Sequence, residues 1–449
     1  MPKIFAKTAY LENKFVDNVR ITFDDLGWIT GVQKNAKKAD TDFVFGIVMP
    51  GVPNVHSHAF QRAMAGLAET ATAGKSSFWT WRELMYKFLS KLGPDEMHII
   101  ASQLYMEMLK AGYTSVGEFH YVHHAEDGTD YEETATLSHA ICWSALQTGI
   151  SLTYLPVFYE FGGFEKQAPE GYQKRFITDF DQLMALRSDV SSTYVNEERI
   201  HIGFAYHSLR AIDPKWLKEA PLGPVHIHIS EQLREVEDCQ KKYQQRPVEF
   251  LFDQVEIDRN WSLIHATHLS KKEITKIAQS GAVVGLCPTT EANLGDGLFP
   301  LVDYVRGGGR FAIGSDSNIS IQPVEELRWL DYGQRLVHQE RALLSHQDET
   351  SMGACLYAQA LENGAQSLGQ PTGKIEKGCR ADLIVLDAEH PILFGKTGTQ
   401  ILDSWVFSGN QNLVTDVIVH GKWQVKDGKH LQESVITPAY TQLLKDLLA

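Results

Sequence analysis

Residues 54–61 read Asn-Val-His-Ser-His-Ala-Phe-Gln and follow an apolar stretch at residues 44–53. In an extended strand, residues two positions apart project from the same face, so the imidazoles of His56 and His58 can converge on one point. Imidazole nitrogens that face one point bind borderline-soft ions such as Zn²⁺. With 18 histidines in 449 residues, roughly one His-x-His pair is expected by chance. The pair therefore predicts a metal site only if further ligands follow at matching positions.

The middle of the chain alternates apolar β runs with helical patterns. The runs lie at residues 46–55, 113–119, 151–158, 201–206, 225–229, 262–266, 282–286 and 311–314. Among the helices predicted between them are 94–111, with Pro94 in its first turn and Gly112 just past its end, and 323–344. Eight β runs separated by helices are typical of an α/β protein with a (β/α)₈ TIM barrel. A doubly wound open sheet competes with it, but no Gly-x-Gly-x-x-Gly motif follows a strand to favour that topology.

Both ends of the chain are rich in shorter β runs. Strand-like segments lie at residues 3–10, 18–23, 28–32, 381–386, 414–420 and 422–425. Neither end is long enough for a core of its own, so together they predict a composite β-sandwich with the barrel inserted between its halves. The expected domains are 1–47 as the first part of the sandwich, 48–380 as the barrel, and 381–449 as the second part with a C-terminal helix.

Amino-acid composition limits the classes of partner and the cellular compartment that we expect for this protein. The formal net charge of −14 argues against nucleic acid and against an anionic membrane surface as partners, since both require basic patches. No apolar run approaches the ~18 residues that span a bilayer, and the first residues lack the apolar region of a secretory signal. The five cysteines are odd in number and far apart, which favours a reducing compartment. We therefore expect a cytoplasmic protein, with a homodimer as the default assembly.

Barrel enzymes carry their chemistry at the carboxyl ends of the strands, and polar side chains cluster at these positions. Those that follow six of the eight runs are His56, His58 and Gln61, then His120, Tyr121, His123 and His124, then His207 and Arg210, then His228 and Glu231, then His265, and last Asp316. Three imidazoles with one carboxylate form the donor set of an open, catalytic type of zinc site. The expected metal ligands are His56, His58, His228 and Asp316.

Several of the remaining side chains have two interpretations. A single buried histidine is more often a hydrogen-bonded core residue than a ligand. His226 lies one layer deeper on the strand face that carries His228, and we expect it in the core. His123 and His124 form a tandem pair in a polar loop, so they are either solvated or part of the site. Arg82 follows two tryptophans closely, and it is either stacked on surface aromatic rings or a substrate ligand.

The order and spacing of these motifs resemble the amidohydrolase superfamily. Shared features are the Pro-Gly-x-x-x-x-His-x-His motif that ends at His58, single histidines after runs five and six, Gly-Ser-Asp ending at Asp316, and Gly-x-x-Ala-Asp-Leu ending at Leu383. The resemblance implies a metal-dependent (β/α)₈ barrel flanked by a composite β-sandwich. Members with two metals carry a carboxylated lysine on strand four, and no lysine lies in residues 151–158 or 200–206. One divalent ion per chain is expected, with Zn²⁺ the first candidate and Fe²⁺ or Mn²⁺ also compatible with the ligands.

Longer segments resemble one branch of this superfamily. The spacing His228-x-x-Glu231 is similar to that of the deaminases and related C–N hydrolases. Segments at residues 54–69, 77–86, 118–124, 207–211 and 290–297 are similar to the N-formimino-L-glutamate iminohydrolases (formimidoylglutamate deiminases) of bacterial histidine degradation. The resemblance runs from one end of the chain to the other. It implies zinc-dependent hydrolysis of N-formimino-L-glutamate to N-formyl-L-glutamate and ammonia.

The resemblance and the side-chain chemistry together imply a role for each candidate. Activated water would attack the formimino carbon, Asp316 and His265 would move its proton, and Glu231 would assist the departing nitrogen. The substrate is then a small dicarboxylate, and Arg210 suits a carboxylate best because its guanidinium fork binds bidentately. The other expected substrate ligands are Gln61, Arg82, Tyr121 and His207.

Two other functions remain open at this point. A deaminase of an aromatic base, such as guanine, cytosine or an adenosine derivative, would share every metal ligand. Apolar walls and amide groups would favour a base, whereas Arg210 and Arg82 favour two carboxylates. A barrel without catalysis could instead serve as a binding protein. Such a protein would be expected to lack one of the metal-ligating residues, but none of them is missing here. Residues 162–192 are interpreted either as a lid or as a surface excursion.

Overall fold

A computed structural model describes residues 3–69, 85–86, 88–345 and 350–448 of the chain, apart from the side chain of residue 172. The strands are β1 (Lys3–Leu11), β2 (Lys14–Phe23), β3 (Ile29–Gln33), β4 (Phe43–Pro50), β5 (Val52–Ser57), β6 (Tyr113–His120), β7 (Ser151–Phe158), β8 (Ile200–Ile202), β9 (Phe204–Ser208), β10 (Val225–Ile229), β11 (Trp261–His265), β12 (Val283–Leu286), β13 (Arg310–Ile313), β14 (Leu383–Leu386), β15 (Val414–Val419), β16 (Lys422–Lys426) and β17 (Lys429–His430). The α-helices are Pro94–Ala111, Thr136–Thr148, Phe180–Thr193, Leu233–Tyr243, Pro247–Gln254, Lys271–Ser280, Pro288–Leu294, Leu301–Arg306, Pro323–His338, Met352–Leu368, Gln400–Phe407 and Glu433–Leu448. Short 3₁₀ helices lie at Ala59–Met64, Phe164–Lys166, Gly171–Arg175 and Pro214–Glu219.

Eight parallel strands form the predicted barrel. Their order is β5-β6-β7-β9-β10-β11-β12-β13, and the short β8 pairs beside β7. The strands are in parallel register, with Ile229 of β10 opposite His265 of β11. A bridge between Ser57 and Asp316 joins β5 to the loop after β13 and nearly closes the barrel. The carboxyl ends of all eight strands therefore lie at one rim, as the sequence predicts.

Both chain ends build a second sheet, in the order β17-β16-β15-β14-β4-β1-β2-β3. β1 pairs in parallel with β4 and antiparallel with β2. The sheet curls back on itself. Phe23 at the end of β2 consequently lies against Gly421, in the turn after β15. Its buried side chains, such as Ile4, Ile21 and Ile418, form a hydrophobic core separate from that of the barrel. The composite β domain expected from the sequence is therefore confirmed, as a curled sheet that both chain ends build.

The first predicted run, at residues 46–55, is not one strand. β4 ends at Pro50 and belongs to the terminal sheet, whereas β5 begins at Val52 and is the first strand of the barrel. Gly51 lies between them, and a Cβ there would come within 2.1 Å of the Thr114 side chain. The chain thus passes between the sheets where only glycine has room, and the dipeptide Pro50-Gly51 marks that break in the sequence. The domain boundaries at residues 47 and 380 stay predictions.

Sequence signals predict the end of one helix correctly and the end of another helix incorrectly. The helix Pro94–Ala111 has its predicted bounds, and Gly112 closes it in the left-handed conformation (φ 106°) with its N–H donating to the carbonyls of Met108 and Leu109. The helix predicted over residues 323–344 ends earlier, at His338. Gln339 adopts a left-handed φ of 56° and caps it there. A glycine marks the first end in the sequence, whereas the glutamine at the second gives no such signal.

The segment at residues 162–192 divides into two parts. Two 3₁₀ turns cover Phe164–Lys166 and Gly171–Arg175, and the helix Phe180–Thr193 follows. Arg175 is fully buried and donates to the main-chain carbonyls of Leu89 and Leu92. The first part is therefore tied to the segment that precedes the helix Pro94–Ala111. Over the described residues, no helix combines the length and the apolar character that crossing a membrane requires.

Candidate active site

Four side chains from three strand ends meet at the rim of the barrel. His56 lies on β5 with His58 just after it, His228 lies on β10, and Asp316 follows β13. Nε2 of His56 is 3.0 Å from Nε2 of His228. Oδ1 of Asp316 is 3.4 Å from Nε2 of His56 and 3.3 Å from Nε2 of His58. The structure thus brings together the four residues predicted as metal ligands, and all four are buried.

Main-chain carbonyls decide which ring nitrogens face this cluster. Nδ1 of His58 is 2.9 Å from the carbonyl oxygen of Phe119, and Nδ1 of His228 is 3.0 Å from that of His207. A carbonyl oxygen can only accept, so Nδ1 carries the proton in both rings and Nε2 presents its lone pair to the cluster. Lone pairs and a carboxylate that face the same space repel one another unless a cation lies between them. The donor set therefore fits a divalent metal ion.

The protonation states suit a cation as well. Burial disfavours charged rings, so it lowers the pKa of His56 to about 3 and the pKa of His228 well below its usual 6.5. Burial alone would raise the pKa of Asp316, but the hydrogen bond from His56 and the neighbouring imidazoles outweigh it and lower that pKa. Neutral imidazoles and an ionised carboxylate are the forms in which these groups bind metal ions.

His265, at the end of β11, lies beside the cluster among carboxylates. Its Nε2 is 3.8 Å from Oδ2 of Asp316 and 4.0 Å from Oε1 of Glu231. Its Nδ1 is 3.2 Å from Oε1 of Glu291. Burial opposes a charge on this ring, but Glu231, Glu291 and Asp316 outweigh burial and raise the pKa of His265 to about 10. His265 is therefore placed to exchange a proton with carboxylates on either side.

Unusual backbone conformations concentrate at the same rim. Ser230, His265 and Asp316 have left-handed φ values of 52°, 68° and 45°. Non-glycine residues in this region cost ~1–3 kcal/mol each and persist only where surrounding contacts over-determine them, which happens most often at functional sites. Ser230 follows β10, His265 ends β11 and Asp316 lies in the loop after β13, so the strain lies at the rim that carries the cluster.

A cavity of about 70 Å³ opens onto the cluster. Four of the five predicted substrate ligands line it, namely Gln61, Tyr121, His207 and Arg210. Nε2 of Gln61 donates to the hydroxyl of Tyr121 at 3.0 Å. Oε1 of Gln61 is buried and has no hydrogen-bond partner among the described residues, so it can bind a donor that enters the cavity.

Arg210 and Glu231 also line a second, larger basin of about 420 Å³. Its wall includes Gly162 and Phe164. Both belong to the segment 162–192, interpreted from the sequence either as a lid or as a surface excursion. Because the two cavities share Arg210 and Glu231, the basin lies directly beside the inner cavity. Arg82, the fifth predicted substrate ligand, lies outside the described residues.

Three other histidines have structural partners, whereas Nε2 of the buried His120 has none among the described residues. Nε2 of His123 is hydrogen-bonded to the carbonyl of Val157 at 3.0 Å, and Nε2 of His124 to that of Ile177 at 2.7 Å. His123 therefore ties its loop to β7, and His124 ties it to the segment before the helix Phe180–Thr193. His226 is buried as expected, and its Nε2 is hydrogen-bonded to a carbonyl of the helix Met352–Leu368 at 2.9 Å.

Sequence reasoning did not single out Glu291 as a site residue. It lies in the helix Pro288–Leu294, which follows β12, and its Oε1 accepts the N–H of Cys287 at 2.9 Å in addition to contacting His265. The polar side chains predicted at the rim follow six of the eight β runs, and run seven at 282–286 is not among them. The same strand-end rule applied to run seven points to this carboxylate.

Known proteins share this architecture. The amidohydrolase family model matches residues 47–424. A formimidoylglutamate deiminase of Pseudomonas aeruginosa is 46% identical to the chain, with 100% of both proteins covered. The crystal structure of an amidohydrolase from Brucella melitensis matches with a TM-score of 0.96 and 41% identity, again over 100% of each chain. The structure of an adenosine deaminase from Xanthomonas campestris with bound zinc has a TM-score of 0.82 and 20% identity, over 99% of this chain and 98% of the other.

The last of these similarities shows a common fold alone. The first two relatives are different, because identities of 46% and 41% extend over whole chains. They confirm the resemblance that the motifs indicate: the chain belongs to the amidohydrolase family and is related over its full length to a formimidoylglutamate deiminase.

Proposed function

We propose that the protein hydrolyses N-formimino-L-glutamate to N-formyl-L-glutamate and ammonia. Its full-length similarity to a formimidoylglutamate deiminase supports the substrate. The observation that carries the proposal is that one cavity contains both a hydrolytic cluster around Asp316 and a cation, Arg210, that suits a carboxylate. An elongated dicarboxylate can then place its formimino group at the cluster and a carboxylate at the guanidinium.

We further propose that one divalent ion per chain, Zn²⁺ first, is held by His56, His58, His228 and Asp316. Such an ion, when bound, supplies the Lewis acidity that makes water a nucleophile near neutral pH. The main-chain bonds of His58 and His228 orient their Nε2 atoms for it without rearrangement. No lysine lies on β7, β8 or β9 to bridge a second ion, which supports a single one.

Both protons of the attacking water must reach the departing nitrogen, and three side chains are placed to carry them. Water adds its oxygen to the formimino carbon, and Asp316, which exchanges protons with His265 3.8 Å away, takes the first proton. Glu231 faces the cavity beside His265 and delivers a proton to the imino nitrogen, which becomes an amine. The new hydroxyl then gives its proton to Asp316 and a second proton reaches the nitrogen by the same route, so the carbon–nitrogen bond breaks, the nitrogen leaves as ammonia, and the carbon keeps the oxygen as a formyl group.

The glutamate part of the substrate is proposed to bind at the other walls of the cavity. Arg210 presents a fork of N–H donors that matches one carboxylate. Gln61, Tyr121 and His207 supply neutral polar groups for the remaining oxygens. Arg82 retains its predicted role as a second cation.

Ammonia release is the direct test. The zinc-loaded protein should release ammonia from N-formimino-L-glutamate in a 1:1 ratio with N-formyl-L-glutamate, and none from guanine, cytosine or adenosine. Glu231→Gln serves as the control, since it should lose turnover and keep its zinc. Release from an aromatic base with none from N-formimino-L-glutamate would overturn the proposal in favour of another deaminase.

We also propose the cytoplasm as the compartment and a homodimer as the assembly. All five cysteines are free thiols and three of them are buried, which supports a reducing environment. Closed two-fold dimers are the commonest oligomers, and sedimentation at micromolar concentration would test this assignment.

A further inference from the structure

The barrel closes along a seam that has little regular strand pairing. Among the described residues, one bridge, between Ser57 and Asp316, joins β5 to the loop after β13. The N–H of His58 donates to the carbonyl of Asp316 at 3.0 Å, and the N–H of Asp316 donates to the carbonyl of His56 at 2.9 Å. Three of the four proposed metal ligands lie along this seam. Any movement of β5 against the loop after β13 would therefore pull the ligands apart.

Two buried amides and a hydroxyl span the seam. Nδ2 of Asn54, on β5, donates to Oγ of Ser315 at 2.7 Å. Oδ1 of Asn54 accepts the N–H of Ser315 at 3.1 Å and that of His56 at 3.3 Å. The hydroxyl of Ser315 donates in turn to Oδ1 of Asn318 at 2.6 Å. We call Asn54, Ser315 and Asn318 the seam clamp.

Asn318 completes the clamp from the other side. Its Nδ2 donates to the carbonyl of Asp316 at 2.9 Å and to that of His58 at 3.1 Å. A third contact reaches Oγ of Ser57 at 3.3 Å. Asn54, Ser315 and Asn318 are all fully buried, so water does not compete for these bonds and their loss is costly.

The loop that the clamp holds is strained. Asp316 and Asn318 have left-handed φ values of 45° and 58°. At Gly314, a Cβ would come within 2.8 Å of His56, so the loop is pressed directly onto β5. Such a conformation needs surrounding contacts to hold it. The clamp supplies them at the point where the carboxylate of Asp316 faces the histidines.

We propose that the seam clamp positions Asp316 against His56 and His58 and thereby sets the affinity of the metal site. This inference rests on the proposed metal site and adds to it residues that touch neither ion nor substrate. Partners behind the ligands typically change metal affinity by about 10–100-fold when they are removed. The clamp residues are therefore positioning residues, and their effect should appear in metal binding itself.

Two clamp variants and one matched control test this. Asn318→Gly removes the amide while tolerating the left-handed backbone, and Ser315→Ala removes only the hydroxyl that links the two amides. In the control, Asn363→Ala removes another buried amide, which donates to the carbonyl of Phe311 on β13 at 3.0 Å, away from the cluster. The zinc dissociation constant is measured by competition with a chromophoric chelator, and ligand geometry by the visible spectrum of the Co²⁺ form.

The clamp variants should raise the zinc dissociation constant about 10–100-fold and shift the Co²⁺ spectrum, with the control unchanged in both. Circular dichroism verifies folding, and if Asn318→Gly does not fold, Ser315→Ala decides. Folded clamp variants with wild-type zinc affinity would overturn this inference and leave the metal site standing. Equal weakening in the Asn363 variant would also overturn it, because the effect would then be general loosening. A wild-type protein that binds no divalent ion would overturn the proposed function as well.

Discussion

Removing the carboxylate of Glu291 is expected to slow the reaction without emptying the metal site. Its Oε1 is 3.2 Å from Nδ1 of His265, and accepting a hydrogen bond there directs Nε2 of His265 toward Asp316 and Glu231. A hydrogen bond to a charged group contributes ~1.5–3 kcal/mol, and about 1.4 kcal/mol corresponds to a factor of ten in rate. For Glu291→Ala, kcat should therefore fall roughly ten- to a hundredfold.

Two further variants separate orientation from general damage. Glu291→Gln keeps an oxygen for His265 and for the N–H of Cys287, which lies 2.9 Å from Oε1, so its kcat should lie between those of wild type and Glu291→Ala. The alanine variant leaves that buried N–H unpaired and should lose about 1–3 kcal/mol of unfolding free energy. The matched control is Glu326→Ala, because Glu326 is equally buried but its carboxylate accepts from the N–H and hydroxyl of Thr289 at 3.0 and 2.6 Å. That variant should lose stability while keeping kcat.

The assay is steady-state ammonia release, with zinc content measured by atomic absorption on the same samples. Thermal unfolding accompanies each variant, so that a stability loss is not mistaken for a catalytic one. A kcat within threefold of wild type for Glu291→Ala at full zinc occupancy would refute the orienting role. A kcat loss that only follows a loss of zinc would show that Glu291 acts on assembly of the site instead.

Three other outcomes are expected. Arg210→Met should raise KM for N-formimino-L-glutamate roughly a hundredfold, for a lost charge pair of ~3 kcal/mol, with zinc content unchanged; a wild-type KM would show that Arg210 does not bind the substrate. Asp316→Asn should abolish turnover more than it weakens zinc binding, since an amide oxygen can still face His56 and His58 but cannot take a proton; rate and zinc stoichiometry measured together separate the two roles. Burial raises the pKa of Asp382 from 3.8 to about 6, so the folded state holds a proton that the unfolded chain has lost, and the free energy of unfolding should fall by about 3 kcal/mol as pH rises from ~4 to ~6. Asp382→Asn keeps an acceptor for the N–H of His420 and should flatten this fall in urea titrations, whereas an unchanged pH profile would assign it to another group.

The sequence alone determined the barrel and the convergence of its histidines. Strand geometry puts His56 and His58 on one face, and parallel strands joined by helices end at one rim, so His228 and Asp316 were expected beside them. The branch of the family was also readable, because the segments that flank the metal motif are longer than the motif and carry more information. These features depend on the periodicity and spacing of residues that are close together in the chain, and such spacing can be read directly from the sequence.

Only the tertiary structure decided which distant groups meet. Asn54 and Ser315 lie 261 positions apart and come together because barrel closure presses the last strand's loop onto β5. Pairing of β11 with β12 placed Glu291 behind His265, and packing of a loop against β7 turned His123 toward a main-chain carbonyl. Periodicity records the face on which a side chain lies and how deeply it is buried, whereas its partners depend on how separate elements close and pack.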